Sequence, residues 1–172
     1  MFDDQTSPQR AHAPTPVNQI WSGAQTGADQ GGLFAAEALG IATGGWCPRD
    51  CWTQTGPRPD LITRFGLQPT LSAGYRDRTV LNVSFTDGTL WVGRQDSPGG
   101  KLTIGTAWKQ EKAILCILPQ QPIAAINVEL FREWLHQNGI RRLNVAGNRE
   151  ETNPGIQAWT QAFLLSALRR PA

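Results

Sequence analysis

A short apolar run, Val17 to Trp21, passes directly into Ser22-Gly23-Ala24-Gln25-Thr26-Gly27-Ala28-Asp29-Gln30-Gly31-Gly32, which opens onto the helical pattern Leu33 to Leu39. A strand, a glycine loop and a helix in that order aim backbone N–H groups and a helix N-terminus at one point. That geometry binds phosphate or another oxyanion without a dedicated cation. The loop is not a phosphate-binding loop of the Gly-Lys-Ser/Thr type, and its glycine spacing is not the dinucleotide fingerprint.

The rest of the chain repeats the alternation. Strands are expected at Val17–Trp21, Ile41–Gly44, Thr89–Gly93, Ile114–Leu118 and Leu143–Ala146. Helices are expected at Gln30–Leu39, Tyr75–Phe85, Lys101–Lys112, Pro122–Asn138 and Pro154–Arg170, the last with Asn153 as N-cap. In Tyr75–Phe85 the apolar side is Val80, Leu81 and Val83, and Thr79 and Ser84 take the polar side. Strands separated by helices predict an α/β fold with a mostly parallel sheet and helices on both faces. Ligands of such sheets sit beyond the carboxyl ends of the strands, near the switch in strand order. Residues 1–16, rich in Pro, Gln, Ser and Thr, read as a loose tail, and 17–172 as a single ligand-binding domain. Gly45–Ser72, dense in Pro, Gly, Cys and Trp, breaks the pattern. A stretch of that length without regular structure is a functional lid or a surface excursion held by its Trp side chains.

Bulk properties remove several classes. A net charge of +2 with scattered basic residues gives no footprint for nucleic acid. No apolar run approaches the roughly 18 residues that span a bilayer. The N-terminus lacks the marks of a signal peptide, and three cysteines in 172 residues do not make a disulfide framework, so a cytoplasmic setting is expected. Cys47 and Cys51 have no second Cys/His pair to complete a zinc site, so no metal is expected.

Three strand exits carry the candidate chemistry. In the first, Gly23 to Gly27 supply backbone donors, Gln25 and Thr26 supply side chains, and Asp29 either caps the helix or holds a ribose hydroxyl or an arginine. In the second, Pro98-Gly99-Gly100-Lys101 opens a helix, with Lys101 in its first turn and Thr103 beyond. A lysine there opposes the helix dipole, and an anionic partner would relieve it. In the third, Gly147-Asn148-Arg149-Glu150 leaves a strand. Arg149 either clamps an anion or pairs with Glu150 or Glu151. Tyr75, Arg78 and Thr79 share one helical face, and Arg76 points away. That face either meets a ring or phosphate or covers the sheet edge. Tyr75 and Trp46 are the candidate stacking rings.

Taken in order, these segments resemble the family known as putative molybdenum carriers. It lies in the Rossmann-like superfamily that also holds cytokinin-activating phosphoribohydrolases and so-called lysine decarboxylase-like proteins. The resemblance rests on Gly23 to Asp29, Gly44 to Pro48, Tyr75 with Arg78, Thr79, Asn82 and Val83, Asp87 to Thr89, Leu102 to Ile104, and Asn144 to Glu150 followed by Pro154 to Ile156. It implies a Rossmann-like three-layer sandwich, a homo-oligomer, and a site for a nucleotide-like or oxyanion ligand, a nucleotide or molybdopterin-type compound included. Gln30 stands where the family often has Arg, and Gly105 and Trp108 replace an acidic and a basic residue. The hydrolase cousins follow Pro-Gly-Gly-x with Gly-Thr-x-x-Glu, whereas Lys101 here is followed by Leu102-Thr103 and no such Glu. The carboxylate that would assist glycosidic cleavage is therefore missing from its place.

The expectation is a binding protein for a phosphorylated small molecule, with no catalytic residue assigned. Its site residues are Gly23, Gln25, Thr26, Gly27, Asp29, Trp46, Tyr75, Arg78, Gly99, Gly100, Lys101, Thr103, Asn148, Arg149 and Glu150. The alternative is a hydrolase of nucleotides using Asp29 or Glu150 as acid/base. A third option is an interaction scaffold built on seven tryptophans.

Overall fold

The structure, a computed structural model, describes residues 16–169, so all of the expected tail but Pro16 lies outside the described residues. The chain runs β1 (Gln19–Trp21), α1 (Ala28–Leu39), β2 (Ala42–Gly44), β3 (Trp46–Cys47), a 3-10 turn (Arg49–Cys51), β4 (Trp52–Thr53), β5 (Gly56–Pro57), α2 (Pro59–Phe65) and β6 (Gln68–Pro69). It continues α3 (Tyr75–Ser84), β7 (Gly88–Val92), α4 (Pro98–Lys109), β8 (Ala113–Ile117), α5 (Ala125–Gln137), β9 (Arg142–Gly147) and α6 (Ile156–Leu168).

The central sheet has the order β2-β1-β9-β7-β8, and every pair in it is parallel. The step from β1 to β2 runs opposite to the step from β7 to β8. Right-handed crossovers therefore put α1 and α4 on opposite faces. The same rule sends α5 to the side of α1, where α6 joins both, and α3 to the side of α4. The result is a Rossmann-like three-layer α/β sandwich. The switch in direction falls at β9, flanked by β1 and β7, and there the loops part to opposite faces and leave a crevice.

The main core lies between the sheet and the α1–α5–α6 layer, built on Ile20, Leu90, Val145, Phe131, Phe163 and Ile156. Stacked Trp159 and Phe163 rings, with centroids 5.1 Å apart, belong to it. β7 is buried at every position, as suits a strand covered on both faces. Among the described residues no helix is long and apolar enough to cross a membrane.

Several boundaries depart from sequence expectation for local reasons. α4 begins at Pro98 rather than Lys101, because Ser97 caps it, its Oγ accepting the Gly100 N–H at 3.1 Å. α5 begins at Ala125, after Pro122 rather than at it. α6 begins at Ile156 with Gly155 at the N-cap, not Asn153. On α3 the inward residues are Thr79, Asn82 and Val83, so one polar residue assigned outward faces in. The Gly45–Ser72 segment is not structureless: it holds β3 to β6 and α2. Of its two tryptophans, Trp46 is half-buried and sets its ring against Phe85, 6.4 Å between centroids. Leu61, Phe65, Leu67, Cys47 and Cys51 close a second core with Leu33, while Trp52 is half exposed.

Candidate functional site

A cleft of about 400 Å³ opens where β1, β7 and β9 end, walled by α3 on one side and the start of α4 on another. The first loop meets it through Gln25 and Asp29 alone. Three of its amides are engaged within the protein. The Gln25 N–H donates to Asp29 Oδ2 at 3.2 Å, the Thr26 N–H to Gln25 Oε1 at 3.0 Å, and the Ala28 N–H to the Asn148 carbonyl at 3.2 Å. Gly27 has φ of +90°, and a Cβ there would collide with the Asn148 carbonyl. Glycine at this position lets the first and third strand exits touch. Gly23 serves contact too, since the Arg78 guanidinium lies where its Cβ would be.

Asp29 is not a helix cap: it holds an arginine. Its Oδ2 receives Arg78 Nη1 at 2.9 Å, across 49 residues of sequence. With a side chain 3% exposed against 12% for Arg78, the pair is sunk into the cleft floor. Burial pushes the Asp29 carboxyl above its ordinary value, and the Arg78 charge and the Gln25 N–H pull against that rise.

Arg78 reaches the floor from α3, and the same helix lifts Tyr75 beside it. Arg78 Cζ lies 5.6 Å and Arg149 Cζ 4.9 Å from the Tyr75 ring centre, so one ring carries two guanidiniums. Arg149 has no ion pair with Glu150 or Glu151 among the described residues and instead donates from Nη1 to Gln54 Oε1 at 2.5 Å. The cleft lining therefore contains two arginines and a single carboxylate, Asp29. Gly99 and Thr103 bring the start of α4 to the same space.

Other candidate residues stand around this centre in structural parts. Asn148 lines the cleft but is fully engaged: Oδ1 accepts the Arg94 N–H at 2.7 Å, and Nδ2 donates to the Arg94 carbonyl at 3.2 Å and to Ser97 Oγ at 3.4 Å. It fastens the exit of β9 to the turn before α4. Glu150 receives the N–H groups of Gly155 and Gln157 at 2.5 and 3.0 Å, so both its oxygens cap α6. Thr26, Gly27, Trp46, Gly100 and Lys101 lie outside the lining, and Lys101 is exposed. Trp46 is held by its backbone, its N–H and carbonyl both bonded to the Asn82 amide at 2.8 and 2.9 Å.

Reasoning from the sequence passed over Asn82, Trp91, Asn144 and Gln54. Asn82 and Asn144 were quoted in motifs but given no role. An asparagine amid apolar neighbours on a buried face is a signal that its amide has assigned partners. Gln54 left no such signal, because its place above the cleft depends on how Gly45–Ser72 folds.

The model of the circularly permutated YpsA SLOG family matches residues 20–168. The solved structure of "Putative molybdenum carrier protein" from Syntrophus aciditrophicus SB is similar at 30% sequence identity, covering 92% of this chain and 98% of that chain, with a TM-score of 0.83. No curated protein matches this chain.

Proposed function

The chain belongs to the circularly permutated YpsA SLOG family, and on that premise we propose that it binds a phosphorylated, nucleotide-like small molecule in the cleft at the sheet's carboxyl edge. Holding the ligand, as a carrier, sensor or sequestering protein does, is the role. The observation that carries this is the charge imbalance of the lining. Two guanidiniums face one carboxylate, and that carboxylate is already committed to Arg78. An anion supplies the missing negative charge, with Arg149 and the first turn of α4 as its contacts. Tyr75 offers the edge of its ring at the same wall for a base or pterin.

The relative from Syntrophus aciditrophicus carries the name "Putative molybdenum carrier protein". Among the described residues no group of three or more His, Cys, Asp and Glu side chains is placed to hold a metal ion. A molybdenum cargo would therefore be gripped through its oxygen or phosphate atoms, by Arg78 and Arg149, rather than by direct ligation. Holding is favoured over hydrolysis because Asp29 lies under Arg78 and Glu150 spends both oxygens on α6. Neither carboxylate stands free to take a proton from water.

The test is a melting-temperature screen with nucleoside mono- and diphosphates, inorganic pyrophosphate and molybdate, with chromatography of each mixture for products. Stabilisation without turnover, lost in Arg149→Met, is expected. Release of free base, ribose 5-phosphate or phosphate would replace binding with catalysis, and no shift with any compound would remove the anion site.

A further inference from the structure

The hairpin β4–β5 turns through Gln54 and Thr55, and its turn is stiff. Thr53 is buried, its Oγ donates to the Gly56 carbonyl at 2.8 Å, and it accepts the Thr55 N–H at 3.2 Å. Gln54 at the tip bonds in two directions. Its backbone N–H donates to Gln25 Oε1 at 2.7 Å, and its side-chain Oε1 accepts Arg149 Nη1. The Gln25 oxygen is then saturated, since the Thr26 N–H and hydroxyl also point to it at 3.0 and 3.4 Å. This fixes which way the Gln25 amide faces and leaves its Nε2, in a residue 4% exposed on the cleft wall, with no partner among the described residues.

We propose that Gln54 is a positioning residue for the anion site: it holds Arg149 against Tyr75 by a neutral hydrogen bond, so that the guanidinium is placed without being neutralised. This rests on the anion-binding function proposed above. The Gln54 amide oxygen takes up a single N–H of Arg149 and brings no negative charge, so the remaining donors of Arg149 stay available to an anion. A carboxylate at the same position would fix the arginine equally well but cancel its charge. The hairpin thus sets the affinity of the cleft through the chemistry of one exposed side chain, with its backbone contact to Gln25 retained in any variant.

The experiment is titration calorimetry of wild type, Gln54→Ala, Gln54→Asn and Gln54→Glu with inorganic pyrophosphate, at 50 mM and 500 mM NaCl. Arg149→Met is the reference, and melting temperatures check the fold of each. At low salt Gln54→Ala is expected to bind about threefold more weakly, from loss of placement alone, and Gln54→Glu about tenfold more weakly, from an added ion pair at Arg149. The deficit of the Glu variant shrinks at high salt, because screening weakens its hold on Arg149 more than it alters the shape of the turn. Equal losses in the Ala, Asn and Glu variants, unchanged by salt, mean a structural role and overturn the proposal. If wild type binds pyrophosphate and Arg149→Met does not, yet all three Gln54 variants match wild type, the positioning role falls and the anion site stands. If wild type binds no pyrophosphate, both fall.

Discussion

The Asp29–Arg78 pair offers the sharpest check on how the cleft floor is built. Removing the carboxylate with Asp29→Ala leaves a guanidinium 12% exposed with no counter-charge, and breaking a buried pair in this way costs about 3–5 kcal/mol. For a chain of this size that is a fall in melting temperature of roughly 6–20 °C. The raised Asp29 carboxyl says something further: desolvation outweighs the attraction of its partner. A pair in that balance contributes little net stability, so Asp29→Asn/Arg78→Met, which discharges both sides at once, should lie within about 1 kcal/mol of wild type. Because the folded state keeps the Asp29 proton to higher pH than the unfolded chain does, it binds more protons in that window, and stability falls as pH rises from the ordinary value of 3.8 through the folded one. Asp29→Asn removes this slope, so wild type gains on that variant as pH is lowered across the window. Urea denaturation at pH 4, 5, 6 and 7 reads every one of these quantities. An Asp29→Ala protein within 1 kcal/mol of wild type, or a double variant as unstable as Asp29→Ala, would refute the buried-pair account.

Gly27→Ala is expected to cost roughly 2–5 kcal/mol through its φ of +90° and its collision with the third strand exit, whereas Gly105→Ala, with open space around it, should gain about 0.5–1 kcal/mol; thermal melts of the two separate packing glycines from merely flexible ones. Asn82→Ala removes both bonds to the Trp46 backbone and should cost about 2–3 kcal/mol by chemical denaturation, while a loss below 0.5 kcal/mol would mean the clamp is replaced by water. Glu150→Ala should lower stability by about 1–2 kcal/mol through the lost α6 cap and leave pyrophosphate affinity within twofold; a large affinity loss would return Glu150 to the site. Cys47 and Cys51 are fully buried, with the Cys47 thiol held below its usual range by a hydrogen bond from Cys51. Thiol labelling should therefore be slow for both in the folded protein and complete for all three cysteines in denaturant; rapid native labelling of Cys47 would mean that the second core opens readily.

The alternating strands and helices were legible because each buries a face with its own period. Val17 to Trp21 and Leu143 to Ala146 could hardly be anything but strands, and Tyr75, Arg78 and Thr79 had to share a helical face. That the loops of β1, β7 and β9 converge followed from the sheet class alone. What remained hidden depends on contacts distant in sequence. Nothing local says that Asp29 meets Arg78 instead of capping α1, or that Glu150 reaches forward to Gly155 while Arg149 reaches back to Gln54. Hydrogen-bonding side chains commit to partners only after the backbone brings them together, so residue type indicates capacity and not use. Gly45–Ser72 was opaque for a related reason. Its strands are two residues long, too short to show a period, and α2 has only Leu61 and Phe65 fully inward.

The place of β9 in the sheet has a consequence for how this chain acquires its structure. Arg142 and Gln19, 123 residues apart, are neighbours across β1 and β9, and β9 also supplies the inner partner of β7. Until it emerges during synthesis, β1–β2 and β7–β8 are two unjoined ribbons, each with an open edge. Open edges invite pairing with other chains. The last strand of the fold is thus its keystone. A polypeptide halted before Arg142 should be prone to aggregate rather than form a smaller domain, and closure of the sheet should limit the folding rate, since contacts this distant are the slowest to form.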